Sequence, residues 1–348
     1  MLFPSLVFNN ARCCRSRVVS VLSCKSRRCP YATISSSIIG QRPLHPSDLT
    51  QDEPSTSVPL LLDSHILQAT LCEHKTSLLD IIKQYIDTSG TVLDVSLPYE
   101  SRPSENRRPH LTTGADSCRN VITVAHCARL GANHKIALSS GFALNVEGRK
   151  KGETLIITCA HTLEEVRQSP LVLSESALLQ SGTFILAGSG DSVTVHPVSD
   201  VVSALPRSDL LLLSCQVPPG LNTLPVSPYP AHENTSILAH FVSHKKPSES
   251  GWHPWVGDTW GKWVKGKVLG YRDFAGRETK PGTYDALSHL LFTPLPTAGS
   301  SGGPIIDAES CAVVGMMLGT RMDNRVEGIR GWGVPSESIF EMFTLPEK

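Results

Sequence analysis

The chain has 348 residues, 40% of them hydrophobic and 18% charged, with 32 basic and 32 acidic side chains. That length buries a full core in one large domain plus an extension, or in two small domains. Zero net charge without a basic patch interleaved with aromatics argues against a nucleic-acid partner, and no apolar run approaches the ~18 residues of a helical membrane span.

The first feature in chain order is an uneven distribution of charge. No acidic residue precedes Asp48, whereas Arg12, Arg15, Arg17, Lys25, Arg27, Arg28 and Arg42 all do. Serines and short apolar stretches alternate with these arginines, which is the composition of an organellar transit peptide. The same arginines interrupt every candidate for the continuous apolar core of a secretory signal. Residues 1–31 are therefore expected to form a mitochondrial transit peptide, with a disordered basic tail as the alternative. A cut between Arg28 and Ala32 would leave 26 basic residues against 32 acidic ones. Four of the ten cysteines (Cys13, Cys14, Cys24 and Cys29) fall in this leader. The other six are Cys72, Cys118, Cys127, Cys159, Cys215 and Cys311, scattered singly without a CxxC pair. Neither a zinc site nor a redox dithiol is indicated, and no cofactor is called for. Buried free thiols are the expectation.

Residues 32–117 read as linkers around a helical extension. Residues 43–59 are rich in Pro, Ser, Thr and Asp. From Leu60 to Ile86, apolar residues including Leu67, Leu71, Leu78, Ile82, Tyr85 and Ile86 recur at helical intervals, and Gly90 ends the run. Prolines 98, 103 and 109 mark a second linker. After Cys118 the texture changes to short apolar strands separated by Gly, Pro, Ser and Asn. Among them are Val121–Ala125, Phe142–Val146, Leu155–Thr158, Thr183–Ala187, Asp209–Ser214, Ile237–Val242, Trp263–Gly270, Ala312–Leu318 and Trp332–Val334. Many short strands with turn signals predict an all-β barrel or sandwich. Residues 336–343 are expected to form a terminal helix.

Gly299-Ser300-Ser301-Gly302-Gly303-Pro304-Ile305 is the strongest local motif. A serine hydroxyl becomes a nucleophile when a base takes its proton and backbone N–H groups hold the developing oxyanion. Gly299 and Gly302 allow the backbone to turn two amides toward one point. Ile156–Ala160 is an apolar strand that runs into His161, and Asp209 heads the apolar strand Leu210–Leu213. Each of these has a plain alternative: a Gly/Ser loop, a core histidine, a strand-start cap. Their joint order weakens all three alternatives. The separations of 48 and 92 residues match the order His, Asp, Ser and the gaps of about 45 and 93 in the serine-protease template.

Residues 118–348 resemble the trypsin/chymotrypsin serine protease superfamily, and most closely its HtrA-like intracellular branch. Ser140-Gly141-Phe142-Ala143-Leu144 is similar to the strand preceding the catalytic histidine in that branch. Gly331-Trp332-Gly333-Val334-Pro335-Ser336 is similar to its closing segment. The resemblance implies two six-stranded antiparallel β-barrels, of about residues 118–225 and 235–335, with the triad His161, Asp209 and Ser301 between them. It implies an oxyanion hole from the amides of Gly299 and Ser301. It places Leu295 at the base of the specificity pocket, which suits an apolar residue before the scissile bond. Strand Met316-Met317-Leu318-Gly319 would pair with the substrate backbone. Val124-Ala125-His126-Cys127 mimics the family's histidine signature but precedes the Ser140–Phe142 strand, so His126 is read as an ordinary strand residue. Ile38-Ile39-Gly40 resembles an activation terminus, yet Ser300 stands where its aspartate partner would be. Thr162 replaces a disulfide cysteine, and no PDZ-like module follows. The function expected is a serine endopeptidase acting on polypeptides in organellar quality control or processing. The alternative is an inactive protease-fold module that only grips peptides. An esterase is disfavoured because the Gly-x-Ser-x-Gly elbow is absent.

Overall fold

A computed structural model describes residues 61–345 apart from 73–74, 110, 112–119, 148–151, 175, 190–191 and 217–220. The expected leader (1–31), the Ile38-Ile39-Gly40 segment, the first linker and Cys118 lie outside the described residues.

The extension contains two helices, α1 (Leu61–Ala69) and α2 (Leu78–Asp87), followed by strand β1 (Leu93–Ser96). The single helical run expected from Leu60 to Ile86 is broken after Ala69. It restarts at Ser77, whose hydroxyl accepts the amide of Asp80 at 3.1 Å and caps α2. The break changes which side chains face inward. Leu71, expected in the apolar stripe, is 55% exposed, while Leu78, Ile81, Ile82 and Tyr85 are buried against the first barrel.

That barrel is formed by β2 (Ile122–Leu130), β3 (Asn133–Glu147), β4 (Thr154–Cys159), β5 (Gln180–Ser189), β6 (Ser192–Leu205) and β7 (Leu210–Cys215). Helices α3 (His161–Arg167) and α4 (Pro170–Leu173) lie between β4 and β5. The six strands close in the order β2-β3-β4-β7-β6-β5, which leaves no open edge. The second half comprises β8 (Ser236–Ser243), β9 (His253–Pro254), β10 (Trp260–Arg272), β11 (Glu278–Thr279), β12 (His289–Thr293), β13 (Pro304–Asp307), β14 (Val313–Asn324) and β15 (Gly328–Pro335). Pairing of β10 with β8 closes the ring β8-β10-β12-β15-β14-β13, with β9 and β11 attached to β10. Two closed six-stranded antiparallel barrels therefore carry the fold. The chain continues through a single turn, α5 (Glu337–Phe340), to β16 (Phe343–Thr344), which pairs in parallel with β1.

The uninterrupted apolar runs of β4 and β7 follow from this geometry. Ile156, Leu211 and Leu213 point into the first barrel, where α2 and α3 also bury side chains. Leu155, Ile157, Leu210 and Leu212 pack in a separate cluster with Ile306, Val313, Met316 and Val334 of the second barrel. Strands covered on both faces lose the alternation of a half-exposed strand. The contact between barrels thus brings the end of β4 and the start of β7 to the loop before β13, and that loop carries Ser301.

Candidate active site

His161 is the first residue of α3, immediately after β4, and Asp209 lies in the turn before β7. Asp209 adopts the left-handed conformation, φ 56°, which an aspartate tolerates better than most residues. This conformation turns its carboxylate back toward α3. Oδ2 lies 2.6 Å from His161 Nδ1, while Oδ1 accepts the amides of Ala160 at 2.9 Å and His161 at 2.7 Å. The carboxylate therefore fixes both the ring and the start of the helix that carries it. Burial disfavours charge on His161, but the Cys159 sulfur and the Asp209 carboxylate outweigh it and hold the imidazole well above the usual histidine range. Nε2 of His161 faces Cys159 Sγ at 3.7 Å.

Ser301 is held by contacts that cross between the barrels. The Ser140 amide of β3 donates to the Ser301 carbonyl at 2.7 Å, and the Ser140 hydroxyl donates to the Gly299 carbonyl at 2.9 Å. Gly302 has φ +83°, and a Cβ there would lie 2.1 Å from the Ser140 carbonyl oxygen. Gly299 has φ +85°, and its Cβ would lie 2.7 Å from His244 Nε2. Both positions need glycine for conformation and for space. Ser300 is buried, with its hydroxyl accepting the Val242 amide at 3.0 Å and lying 2.9 Å from Thr297 Oγ1. It anchors the loop to β8 from inside. The amides of Gly302 and Gly303 bond to the Met317 and Ser300 carbonyls. Those of Gly299 and Ser301 have no partner among the described residues, which leaves two donors at the Ser301 loop.

Ser301, His161 and Gly299 line one cavity of about 380 Å³. The Ser301 hydroxyl donates to the Leu318 carbonyl, outside the cavity lining, at 2.9 Å. Ser301 and His161 thus share a cleft while each holds a different partner.

The other predicted positions are placed unevenly. Met316 and Met317 are wholly buried and paired on both edges of β14, Met316 with Pro304 and Val334, and Met317 with Gly303 and Gly333. Their backbone has no edge to offer a substrate, which corrects that part of the predicted strand. The ladder with β13 ends at Pro304 and Met316, and Gly302 and Gly303 bond Met317 just beyond it, so the open edge starts at Leu318. Leu295 is 48% exposed and does not line the Ser301 cavity. His126 is fully buried in β2, with Nδ1 3.0 Å from Thr183 Oγ1, and is likewise absent from the cavity wall. Sequence reasoning missed Cys159, Asp63, His244 and Asp258. Cys159 was legible from its place two residues before His161. The other three come from loops and a helix whose approach to the cleft no local motif records.

Comparison with known proteins places these features in a wider setting. A family profile described as "Trypsin-like peptidase domain" matches residues 139–316. No curated protein sequence matches the chain. Among solved structures, the active form of the Rv3671c protease from M. tuberculosis shares 17% identity over 72% of this chain and 92% of its own, with a TM-score of 0.39. Deg5 shares 14% identity over 64% and 86%, with a TM-score of 0.41. The apo MamO protease domain from Magnetospirillum magneticum shares 17% over 62% and 93%, with a TM-score of 0.37. Among the described residues, no helix is long and apolar enough to cross a membrane.

Proposed function

The chain belongs to the family of trypsin-like peptidase domains, and from that premise we propose that it is a serine endopeptidase working through Ser301, His161 and Asp209. The observation that carries this reading is the 2.6 Å contact between Asp209 and Nδ1 of His161, a residue that lines one cavity together with Ser301. Asp209 holds the ring so that Nε2 remains the basic nitrogen. Rotation of Ser301 about Cα–Cβ into another staggered well frees its hydroxyl from Leu318, at the cost of one hydrogen bond, about 1 kcal/mol. His161 then takes the proton as the oxygen attacks a peptide carbonyl. The amides of Gly299 and Ser301 receive the oxyanion, and His161 returns the proton to the leaving amine. Water repeats the sequence on the acyl-enzyme. The acyl half of the substrate pairs with the edge that opens at Leu318 and Gly319. An apolar residue before the scissile bond suits a chain with Leu295 in place of a carboxylate. The acid-free, arginine-rich residues 1–31 support delivery to mitochondria, and a fluorescent fusion of residues 1–47 tests that address.

A second reading is favoured by one observation, the bond from Ser301 to Leu318: a peptide-binding module whose nucleophile stays turned away. Labelling by a fluorophosphonate separates the two. Covalent modification at Ser301, lost in Ser301→Ala together with peptide hydrolysis, supports the enzyme. Absence of labelling and turnover supports the binding module.

A further inference from the structure

We infer that Asp63, on α1, is a specificity-determining residue of the leaving-group half of the cleft. It selects polypeptides with a lysine or arginine one to three residues beyond the scissile bond. The inference rests on the peptidase reading above. The cavity that holds Ser301 and His161 is walled on one side by Leu62 and Asp63, which come from the N-terminal extension. No residue of β14 lines this cavity, so it lies away from the open edge at Leu318 where the acyl half pairs. It is the space into which the leaving half of a substrate runs.

Helix α1 is seated firmly at this position. Leu62 and Ile66 are buried in a cluster with Trp255 and Val256. The Leu62 amide donates to Asp258 Oδ1 at 3.3 Å, and Gly257 passes so close that an added Cβ would lie 3.3 Å from Leu62 Cδ1. The wall is part of the fold.

Three carboxylates face the cavity, and two of them are engaged. Glu165 pairs with Lys135 at 2.6 Å, and Asp258 accepts the Leu62 amide. Asp63 has neither a hydrogen bond nor an ion pair among the described residues. Burial and the Asp258 charge push its pKa up, against the pull of His134 and His244. Burial also holds His244, across the cavity, below the usual histidine range, so it supplies no standing positive charge. A partly desolvated carboxylate without a partner carries a cost that an incoming cation relieves. A lysine or arginine side chain has the reach to supply that cation, because its charge sits at the end of a long flexible stem.

The test uses the full chain with Ser301→Ala, so that peptides bind without being cut. Three fluorescent peptides share one acyl-side sequence and carry Lys, Ala or Glu at the second residue beyond the scissile bond. The Lys peptide is expected to bind roughly three- to tenfold tighter than the Glu peptide, and the gap is expected to narrow at high salt. Adding Asp63→Asn removes the preference, Asp63→Glu keeps it, and Asp63→Lys reverses it; the last two keep the proposal falsifiable if the neutral variant folds poorly. Equal binding of the Lys and Glu peptides, no binding of any of the three, or a preference that survives Asp63→Asn would overturn it. Fluorophosphonate labelling of the chain with Ser301 intact is read alongside. Failure to label with the lysine preference intact would sink the peptidase reading and leave Asp63 as a binding determinant.

Discussion

Cys159 Sγ lies 3.7 Å from Nε2 of His161, the nitrogen that accepts the proton of Ser301 in the proposed mechanism. The thiol is buried in β4 and close to Thr162 Oγ1, at 3.8 Å, so the backbone fixes its position. As an acceptor it stabilises the imidazolium and, in the proposed mechanism, competes with the serine for His161. Ser301 and His161 therefore each hold a partner other than one another, Leu318 and Cys159.

Cys159→Ala is expected to move the acid limb of the kcat/KM profile to lower pH. The sulfur raises the His161 pKa, so its removal lowers that pKa and enlarges the neutral, basic fraction at any pH below it. Each unit of displacement gives up to about tenfold in activity on that limb. The sign for stability is opposite. A raised folded-state pKa gives His161 a stabilising contribution that is complete below its unfolded value and lost as pH rises through the folded one. A pH–rate profile of the variant checks the assignment, and an unmoved or higher limb contradicts it.

Asp209→Asn should leave most of the backbone anchoring in place, since an amide oxygen still accepts from Ala160 and His161. It removes the charge opposite Nδ1 and permits the wrong imidazole tautomer. A loss of about 10⁴-fold in kcat is expected, with little change in melting temperature. Steady-state kinetics beside thermal unfolding separates this from simple misfolding, which would lower both.

Sequence and structure agree best on short contiguous segments. The strand that runs into His161, the aspartate heading four leucines and the glycine-flanked Ser301 were all legible, because strand, turn and loop geometry are local. The limits of α1 were not. Leu71 continues the helical spacing, but the cap at Ser77 and the contacts of Leu62 with Gly257 and Asp258 decide where each helix starts. Those contacts span about 200 residues of chain. The substrate edge was misread in part for a related reason. Whether Met317 can pair with a peptide depends on Gly302 and Gly303 folding back onto it, and no periodicity records that.

Gly302→Ala is expected to prevent a stable fold, because its Cβ would meet the Ser140 carbonyl oxygen at 2.1 Å and φ is +83°. The obstruction is backbone and cannot swing aside, so a cost above about 3 kcal/mol is expected. Gly299→Ala meets a histidine ring at 2.7 Å, which can move, and should instead lower kcat by disturbing the oxyanion amides. Denaturant melts and fluorophosphonate labelling rates of the two variants distinguish them. Equal stability of both would contradict the steric argument.

His240 supplies a pH dependence away from the cleft. It is fully buried, its ring packed edge-on against Trp255 and Trp263 with centroids at 4.9 and 5.2 Å, and neither ring nitrogen has a partner among the described residues. Burial lowers its pKa to about 3. The unfolded chain therefore binds a proton near pH 6.5 that the folded chain refuses. Stability is complete above that value, falls as pH drops below it, and stops falling from this cause once pH passes the folded value. Between pH 7 and pH 5 the loss is about 2 kcal/mol. His240→Phe retains an aromatic ring between the tryptophans and removes the titration. Its advantage over the unaltered chain should grow by about that amount across the interval. Urea unfolding at pH 7 and pH 5 measures the difference, and a constant gap would mean that the ring finds a partner or water on protonation.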